Sequence, residues 1–351
     1  MREIVLINIT GAQFADYTAA VTDAYGEQVR FVEAADQDRL KAAGDYIVTL
    51  MSRQVTAQQL QQVAVISAGH GLVIQSIKQL SVPVAGAPSA LAKSCLELTV
   101  LGTLDDALAL KAQFLDAAQA LAMDIAIQAD TPLRRNRRLA VFDMDSTLIQ
   151  AEVIDELAKA AGVGERVSEI TERAMRGEID FRASFKERMA LLKGLDVSVL
   201  DQIGASLRLT EGAEVLFAQL NRLGYKTAIL SGGFTYFAKQ VQAKLGIDYV
   251  FANELQVVDG KCTGVAVEPI VDAQRKAQLL RSLAQQEGLE LEQTIAVGDG
   301  ANDLPMLAIA GLGVAFHAKP LVKQSAQHAI STLGLDGVLY LLGQQDAASE
   351  N

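Results

Sequence analysis

Hydrophobic residues recur along this chain with two periods, and the order in which the periods alternate divides it in two. In the amino-terminal third, residues 2–9 (REIVLINI) read as a strand, 11–24 as a helix, 28–34 and 44–51 as strands, 56–68 as a helix and 71–78 as a strand. That succession is βαββαβ, the order of a ferredoxin-like unit. A strand at 94–102, a helical stretch at 105–122 and an apolar run at 122–127 repeat part of it. From the run AVF at 140–142 onward the organisation changes. Three segments, VIDELAKAAG, RVSEITERAMRG and FRASFKERMALLKGL, carry apolar residues three and four apart with charges between them. Beyond about residue 209 strands such as KTAIL and TIAV alternate with helices, a pattern that predicts a parallel sheet with helices on both faces. The helical stretch over about 152–208 then reads as a cap inserted at the active edge of that sheet.

The two parts meet at ADTPLRRNRRL, where a proline and four arginines (Arg134, Arg135, Arg137 and Arg138) break the periodic pattern and predict a linker with a solvated basic face. The expected organisation is therefore an α+β ferredoxin-like region over 1–135, one βαββαβ unit plus a partial second, followed by an α/β domain over 136–345.

Composition restricts what such a chain can do. Half of its 351 residues are hydrophobic, enough for a sizeable core. The net charge of -11 opposes binding to nucleic acid or to an anionic membrane, and would repel a phosphorylated substrate unless a metal and placed cations reverse the local field. No segment is long enough to span a membrane, and Glu3 and Asp16 in an amino terminus without a basic start argue against a secretion signal. Cys95 and Cys262 lack metal-ligand spacing and read as core residues of a protein kept in the reducing cytoplasm. His70, His317 and His328 are too scattered to suggest a triad or a zinc site. Carboxylate chemistry is the option left.

AVFDMDSTL at 140–148 offers it. Asp143 and Asp145 follow an apolar run that reads as a strand, at the carboxyl end where α/β sheets keep their chemistry. In an extended segment Asp143, Asp145 and Thr147 share one face, while Met144 and Ser146 turn away. Two close carboxylates repel, and a hard cation such as Mg²⁺ holds the charge while one carboxylate attacks phosphorus and the other moves protons. Ser231-Gly232-Gly233 after KTAIL can present backbone N–H groups to phosphate oxygens, although a Gly-Gly pair also makes a plain turn. Lys276 can supply a fixed positive charge, or be an ordinary surface lysine. Asp299, Asn302 and Asp303 in TIAVGDGAND form a second oxygen-rich strand end suited to magnesium.

With these four motifs in this order over about 138–340, the chain resembles the haloacid dehalogenase superfamily of phosphotransferases, and within it the phosphoserine phosphatases. The resemblance implies a Rossmann-like core with a small helical cap. It also implies Asp143 as nucleophile and Asp145 as general acid and then base, its carbonyl binding Mg²⁺ together with the Asp143 and Asp299 carboxylates. Asn302 and Asp303 would order the metal's waters and the loop. Ser231, Gly232 and Lys276 would hold the phosphoryl oxygens. In the cap, Glu152 would bind the amine of phosphoserine, Arg188 would grip its carboxylate, and Met175 and Phe181 would close over it. Taken singly, those four positions also fit a charged helix face and core packing. A phosphotransferase acting on an alcohol such as homoserine shares all the motifs, and a non-enzymatic amino-acid sensor is the remaining alternative. The amino-terminal order resembles ACT-like units, which implies serine as a regulator and a homodimer formed through this region. The glycine-rich ligand loop of an active ACT unit is not obvious near Thr10-Gly11.

Overall fold

The computed structural model describes residues 2–9, 12–25, 29–34, 44–82 and 92–346, and Thr10 and Gly11 lie outside them. The chain divides into two compact units, one of Met1–Arg135 with His328–Asn351 and one of Asn136–Gln327.

The first unit holds strands β1 (Arg2–Ile7), β2 (Val29–Ala34), β3 (Tyr46–Ser52), β4 (Val73–Ser81), β5 (Ser94–Leu101) and β6 (Asp124–Ala129). Helices α1 (Ala12–Tyr25), α2 (Ala57–Gly69) and α3 (Ala107–Ala120) connect them in pairs, and a short α4 (Pro132–Arg135) follows. The strands form one sheet in the order β2-β1-β4-β5-β3-β6. Contiguous apolar faces explain the assembly: Val48, Leu50, Ile74, Ile77, Leu96 and Leu98 of the sheet share one core with Val21, Leu60, Val63, Leu110 and Phe114 of the helices. Thr56 and Gln59 start α2 with a reciprocal capping box.

This topology moves the ferredoxin-like frame. β3 and β5 are central, β4 and β6 flank them, and every neighbouring pair among these four is antiparallel, so the complete βαββαβ unit is β3α2β4β5α3β6. β1 and β2 are instead a parallel βαβ pair added beside β4. The sequence placed the complete unit at 2–78 because three βαβ segments in series offer two adjacent pairs with the same element order. Only strand pairing separates them. The carboxyl-terminal segment also leaves its expected place in 136–345. Within the first unit the Asp124 carboxylate accepts from the Ser331 and Thr332 amides at 2.8 Å each, and Gln128 donates to the Leu341 carbonyl.

The second unit carries five parallel strands in the order β13 (Leu312–Phe316), β12 (Thr294–Gly298), β7 (Leu139–Phe142), β8 (Lys226–Phe234) and β9 (Tyr249–Asn253). β7, β12 and β13 are buried throughout, as strands covered on both faces are. After β7 come the cap helices α5 (Val153–Ala160), α6 (Gly164–Met175), α7 (Phe181–Leu191) and α8 (Ser198–Ser206), the last not singled out by the sequence. Then α9 (Ala213–Arg222) leads to β8, α10 (Thr235–Leu245) to β9, and a hairpin of β10 (Leu255–Val258) and β11 (Lys261–Ala266) precedes α11 (Ala273–Gln286). The chain runs from β7 outward to β8 and β9, then returns to the other side of β7 at β12. That reversal opens a crevice at the carboxyl ends of β7 and β12. No helix among the described residues is long and apolar enough to cross a membrane.

The arginines expected on a solvated face are divided between surface and interior. Arg134 is buried, donating to Glu97 at 3.0 Å, and Arg137 is buried with its guanidinium on the Gly311 carbonyl, whereas Arg135 is exposed and pairs with Asp130. Removing Glu97 takes the carboxylate at 3.0 Å away from the buried Arg134 charge. Glu97→Ala is expected to lower urea stability by about 3 kcal/mol, and Arg135→Ala by less than about 1 kcal/mol. Equal costs would contradict this division.

Candidate active site

Two acidic strand ends meet across the crevice. Just past the end of β7 the Asp143 amide donates to the Val297 carbonyl of β12 at 2.9 Å, so the Asp143 side chain stands beside the loop that follows Gly298. That loop bends at Gly298, where a Cβ would lie 2.4 Å from Asp303, and a short 3₁₀ turn over Ala301–Asp303 brings Asp299 and Asp303 back toward Asp143. Ligand atoms of Asp143, Asp299 and Asp303 all lie within 4.8 Å of one another.

Extended alternation does not carry Asp145 and Thr147 into the crevice, because the strand ends at Phe142. The Met144 carbonyl accepts from the amides of Thr147, Leu148 and Ile149, and Ser146 adopts φ 56°, a left-handed conformation costly for a non-glycine residue. The resulting tight turn achieves what the extended segment was expected to do. Thr147 donates to Asp299 at 3.0 Å, Asp145 stands against Gly233, and Ser146 donates to Glu152 at 2.6 Å.

One cation occupies the centre. Lys276, fully buried on α11, places Nζ 2.8 Å from Asp143 and 2.7 Å from Asp303. Burial alone would favour the neutral amine, but the charges of Asp143 and Asp303 and their hydrogen bonds outweigh it and raise the Lys276 pKa. The remaining carboxyls show the strain of confinement. Asp145 is raised well above the ordinary carboxylate range by burial, then by the charges of Glu152 and Asp143. Asp303 is raised by burial and by Asp143. Asp299 is pushed up to about 6 by burial and Asp143, against the Thr147 hydrogen bond. The surroundings of Asp145 thus favour its protonated form more than water does. Its buried Oδ1 has no hydrogen-bond partner in the structure, a cost that a reacting group can resolve.

This donor set consists of oxygens, with no thiolate or imidazole, and a surplus of negative charge. Such a set suits a hard divalent cation.

Ser231 and Gly232 lie across from Asp143, near the end of β8. Ser231 is buried and its Oγ accepts from the Gly233 amide at 2.9 Å. Gly233 has no room for a side chain, since a Cβ would lie 2.7 Å from Asp145 and 2.9 Å from Met144. A Cβ on Gly232 would lie 3.2 Å from the Phe181 ring, which places that cap residue over the loop. Arg188 lies two turns further along α7. Burial lowers its pKa, while Asp155, Glu152 and Asp145 act in the opposite sense, which places the guanidinium in the field of all three. Glu152, at the start of α5, faces solvent at the rim, and surrounding protein raises its carboxyl against the hydrogen bond from Ser146. Asn302 folds over the glycine bend, its Oδ1 2.2 Å from where a Gly300 Cβ would be. Met175 is not brought in. It ends α6 with 63% of its surface exposed.

Comparison with known proteins agrees with this geometry. A family model described as haloacid dehalogenase-like hydrolase matches residues 140–308. A phosphoserine phosphatase of Streptomyces coelicolor is 43% identical over 317 residues, 90% of this chain and 75% of that protein. The chain belongs to the phosphoserine phosphatase family of haloacid dehalogenase-like hydrolases. The family extends to its architecture: a crystal structure of a probable phosphoserine phosphatase from Vibrio cholerae matches with TM-score 0.69 and 36% identity over 93% of each chain. A phosphoserine phosphatase solved as a phospho-aspartyl intermediate analogue matches with TM-score 0.55 and 42% identity over 58% of this chain and 98% of that one.

Sequence reading missed one residue bonded to the site's backbone, Asn253, which donates to the Gly232 carbonyl. Its signal was slight, an asparagine closing the mostly apolar strand YVFAN.

The raised carboxyls carry a pH signature. The folded chain binds protons that the unfolded chain, with Asp near 3.9, has released, so the cluster's contribution to stability falls as pH rises from about 4 to about 6. In chelator, Asp299→Asn is expected to raise the thermal midpoint at pH 7.5 by roughly 2–4 °C and to leave it unchanged at pH 4. A lowered midpoint at pH 7.5 would contradict the repulsion.

Proposed function

We propose that this chain hydrolyses O-phosphoserine to serine and phosphate through an aspartyl phosphate on Asp143, the last step of serine biosynthesis. The observation that carries the reading is the buried Lys276 ammonium shared by Asp143 and Asp303, beside Asp145, whose buried Oδ1 has no hydrogen-bond partner.

Asp143 accepts from Lys276 and, through the same Oδ1, from the Met144 amide at 2.7 Å, which fixes the plane of the attacking carboxylate. Its oxygen forms a bond to phosphorus as the bond from phosphorus to the serine oxygen breaks. A serine alkoxide leaves poorly, and Asp145 gives it a proton. Asp145, now ionised, takes a proton from water as that water attacks the phosphorus and releases phosphate from Asp143. Ser231 and Gly232 orient the phosphoryl oxygens, and Lys276 offsets their charge. Magnesium, when bound by the Asp143 and Asp299 carboxylates and the Asp145 carbonyl, supplies further charge neutralisation, with Asn302 and Asp303 ordering its surroundings.

Substrate choice rests on Glu152 for the amine and Arg188 for the carboxylate, an acid and a base on the cap side of the crevice. Phe181 closes the phosphate end. Met175 is largely exposed at the end of α6, and its part in closure requires movement of that helix. We assign the first unit to dimerisation and serine sensing, on the strength of its ferredoxin-like β6-β3-β5-β4 order, and the chain to the cytoplasm, where its two buried free cysteines stay reduced.

Phosphate release with Mg²⁺ is expected to favour phosphoserine over phosphothreonine and an aryl phosphate, and Arg188→Ala to remove most of that preference. Asp143→Asn is expected to abolish release and Asp145→Asn to reduce it about 10²–10⁴-fold. Equal rates on the three substrates would overturn the substrate assignment. Serine sensing predicts a serine-binding event in calorimetry that Arg188→Ala leaves intact, and its loss in that variant would confine serine to the active site.

A further inference from the structure

The loop that faces the phosphoryl group is not held by its own strand. Between Leu230, paired with Phe251, and Phe234, paired with Asn253, β8 spends two more residues than β9, so Ser231, Gly232 and Gly233 lie where the ladder is irregular. Their backbone groups need other partners. Asn253, 1% exposed at the end of β9, supplies one: its Nδ2 donates to the Gly232 carbonyl at 2.8 Å. The amide N–H of the same peptide, on Gly233, donates to Ser231 Oγ at 2.9 Å. The peptide between Gly232 and Gly233 is thus pinned at both ends. Because Ser231 Oγ already accepts from it, the hydroxyl hydrogen is free to donate elsewhere.

The other end of the Asn253 amide reaches a second motif. Its Oδ1 accepts from the Val271 amide at 2.8 Å. Val271 precedes Asp272, the N-cap of α11, whose carbonyl accepts from the Lys276 amide at 2.9 Å. A single planar amide therefore ties the loop bearing Ser231 and Gly232 to the start of the helix bearing Lys276. The task requires a donor and an acceptor on one short side chain, which asparagine has and aspartate or leucine does not.

We propose that Asn253 is a positioning residue for phosphoryl transfer, setting the Gly232–Gly233 peptide, and through it the Ser231 hydroxyl and the Gly232 N–H, in register with Lys276. This deepens the phosphatase reading and rests on it for the identity of the reaction. Asn253 touches no reacting atom. Its effect comes through the orientation of groups that do, where displacements of about 1 Å cost on the order of 10²-fold in rate.

Asn253→Asp keeps the shape and the bond from Val271 but replaces the donor to Gly232 with an oxygen. In the full chain with Mg²⁺, kcat for phosphoserine is expected to fall about 10²-fold, and inorganic phosphate, titrated by calorimetry, to bind at least about tenfold more weakly. A double-mutant cycle separates positioning from general destabilisation. In a Ser231→Ala background, Asn253→Asp is expected to cost markedly less than in the wild type, because the two act through one peptide. If Asn253→Asp does not fold, Asn253→Ser is read by the same cycle. Full additivity with Ser231→Ala, or unchanged phosphate affinity in a folded variant, overturns the proposal. If the wild type binds phosphate but does not hydrolyse phosphoserine, the substrate reading fails, while the phosphate titration and its cycle still decide the role of Asn253.

Discussion

Confining like charges in one largely buried crevice is the constraint from which the rest of this site follows. Asp143, Asp299 and Asp303 converge within 4.8 Å, and Asp145 stands in the field of the first. Among the described residues the fully buried cation bonded to this cluster is Lys276, whose ammonium is held between Asp143 and Asp303. Burial and then the neighbouring carboxylates raise Asp145, Asp299 and Asp303, although the Lys276 charge opposes the shift at each of them. That residual repulsion favours a divalent cation, and it shifts Asp145 toward its protonated form, the form that the proposed acid role uses. Under the proposed function, one electrostatic arrangement serves both metal binding and acid catalysis.

The fold's contribution is to bring distant segments to one place. A parallel sheet puts the carboxyl ends of β7, β8 and β12 on one edge, so residues 143, 231 and 299 meet although about 70 to 90 positions separate neighbours in sequence. Lys276 arrives from α11, and Asn253 couples that helix to the phosphate loop with two bonds of 2.8 Å. The cap supplies what the sheet edge lacks. Phe181 and Arg188 lie along α7 and Glu152 at the start of α5, so the groups proposed to react and those proposed to choose the substrate belong to different layers.

Most of this chemistry was legible in sequence because it resides in contiguous motifs whose spacing is local: Asp143 and Asp145, Ser231 and Gly232, Asp299 and Asp303. Asn253 was not, because its meaning lies in a register irregularity between β8 and β9 that no pattern of residue types reveals. The turn at Met144 was misread for a related reason. Alternation is a rule for strands, and the strand stops at Phe142, where the Met144 carbonyl begins to collect three amides. The amino-terminal frame failed at the level of pairing. Element order was read correctly, but three consecutive βαβ segments leave two framings that only hydrogen bonding between strands can separate. Burial of Arg134 and Arg137 was hidden likewise, since their partners Glu97 and Gly311 are remote in sequence.

The central claim is that Asp143, held by Lys276, becomes covalently phosphorylated. The most direct measurement is rapid-quench labelling of the full chain with phosphate-labelled phosphoserine in Mg²⁺, followed by peptide mapping. The account predicts an acid-stable, hydroxylamine-sensitive label on the peptide containing Asp143, appearing within the first turnover and absent from Asp143→Asn. Label on another residue, or full turnover with no labelled protein at any quench time, would contradict it.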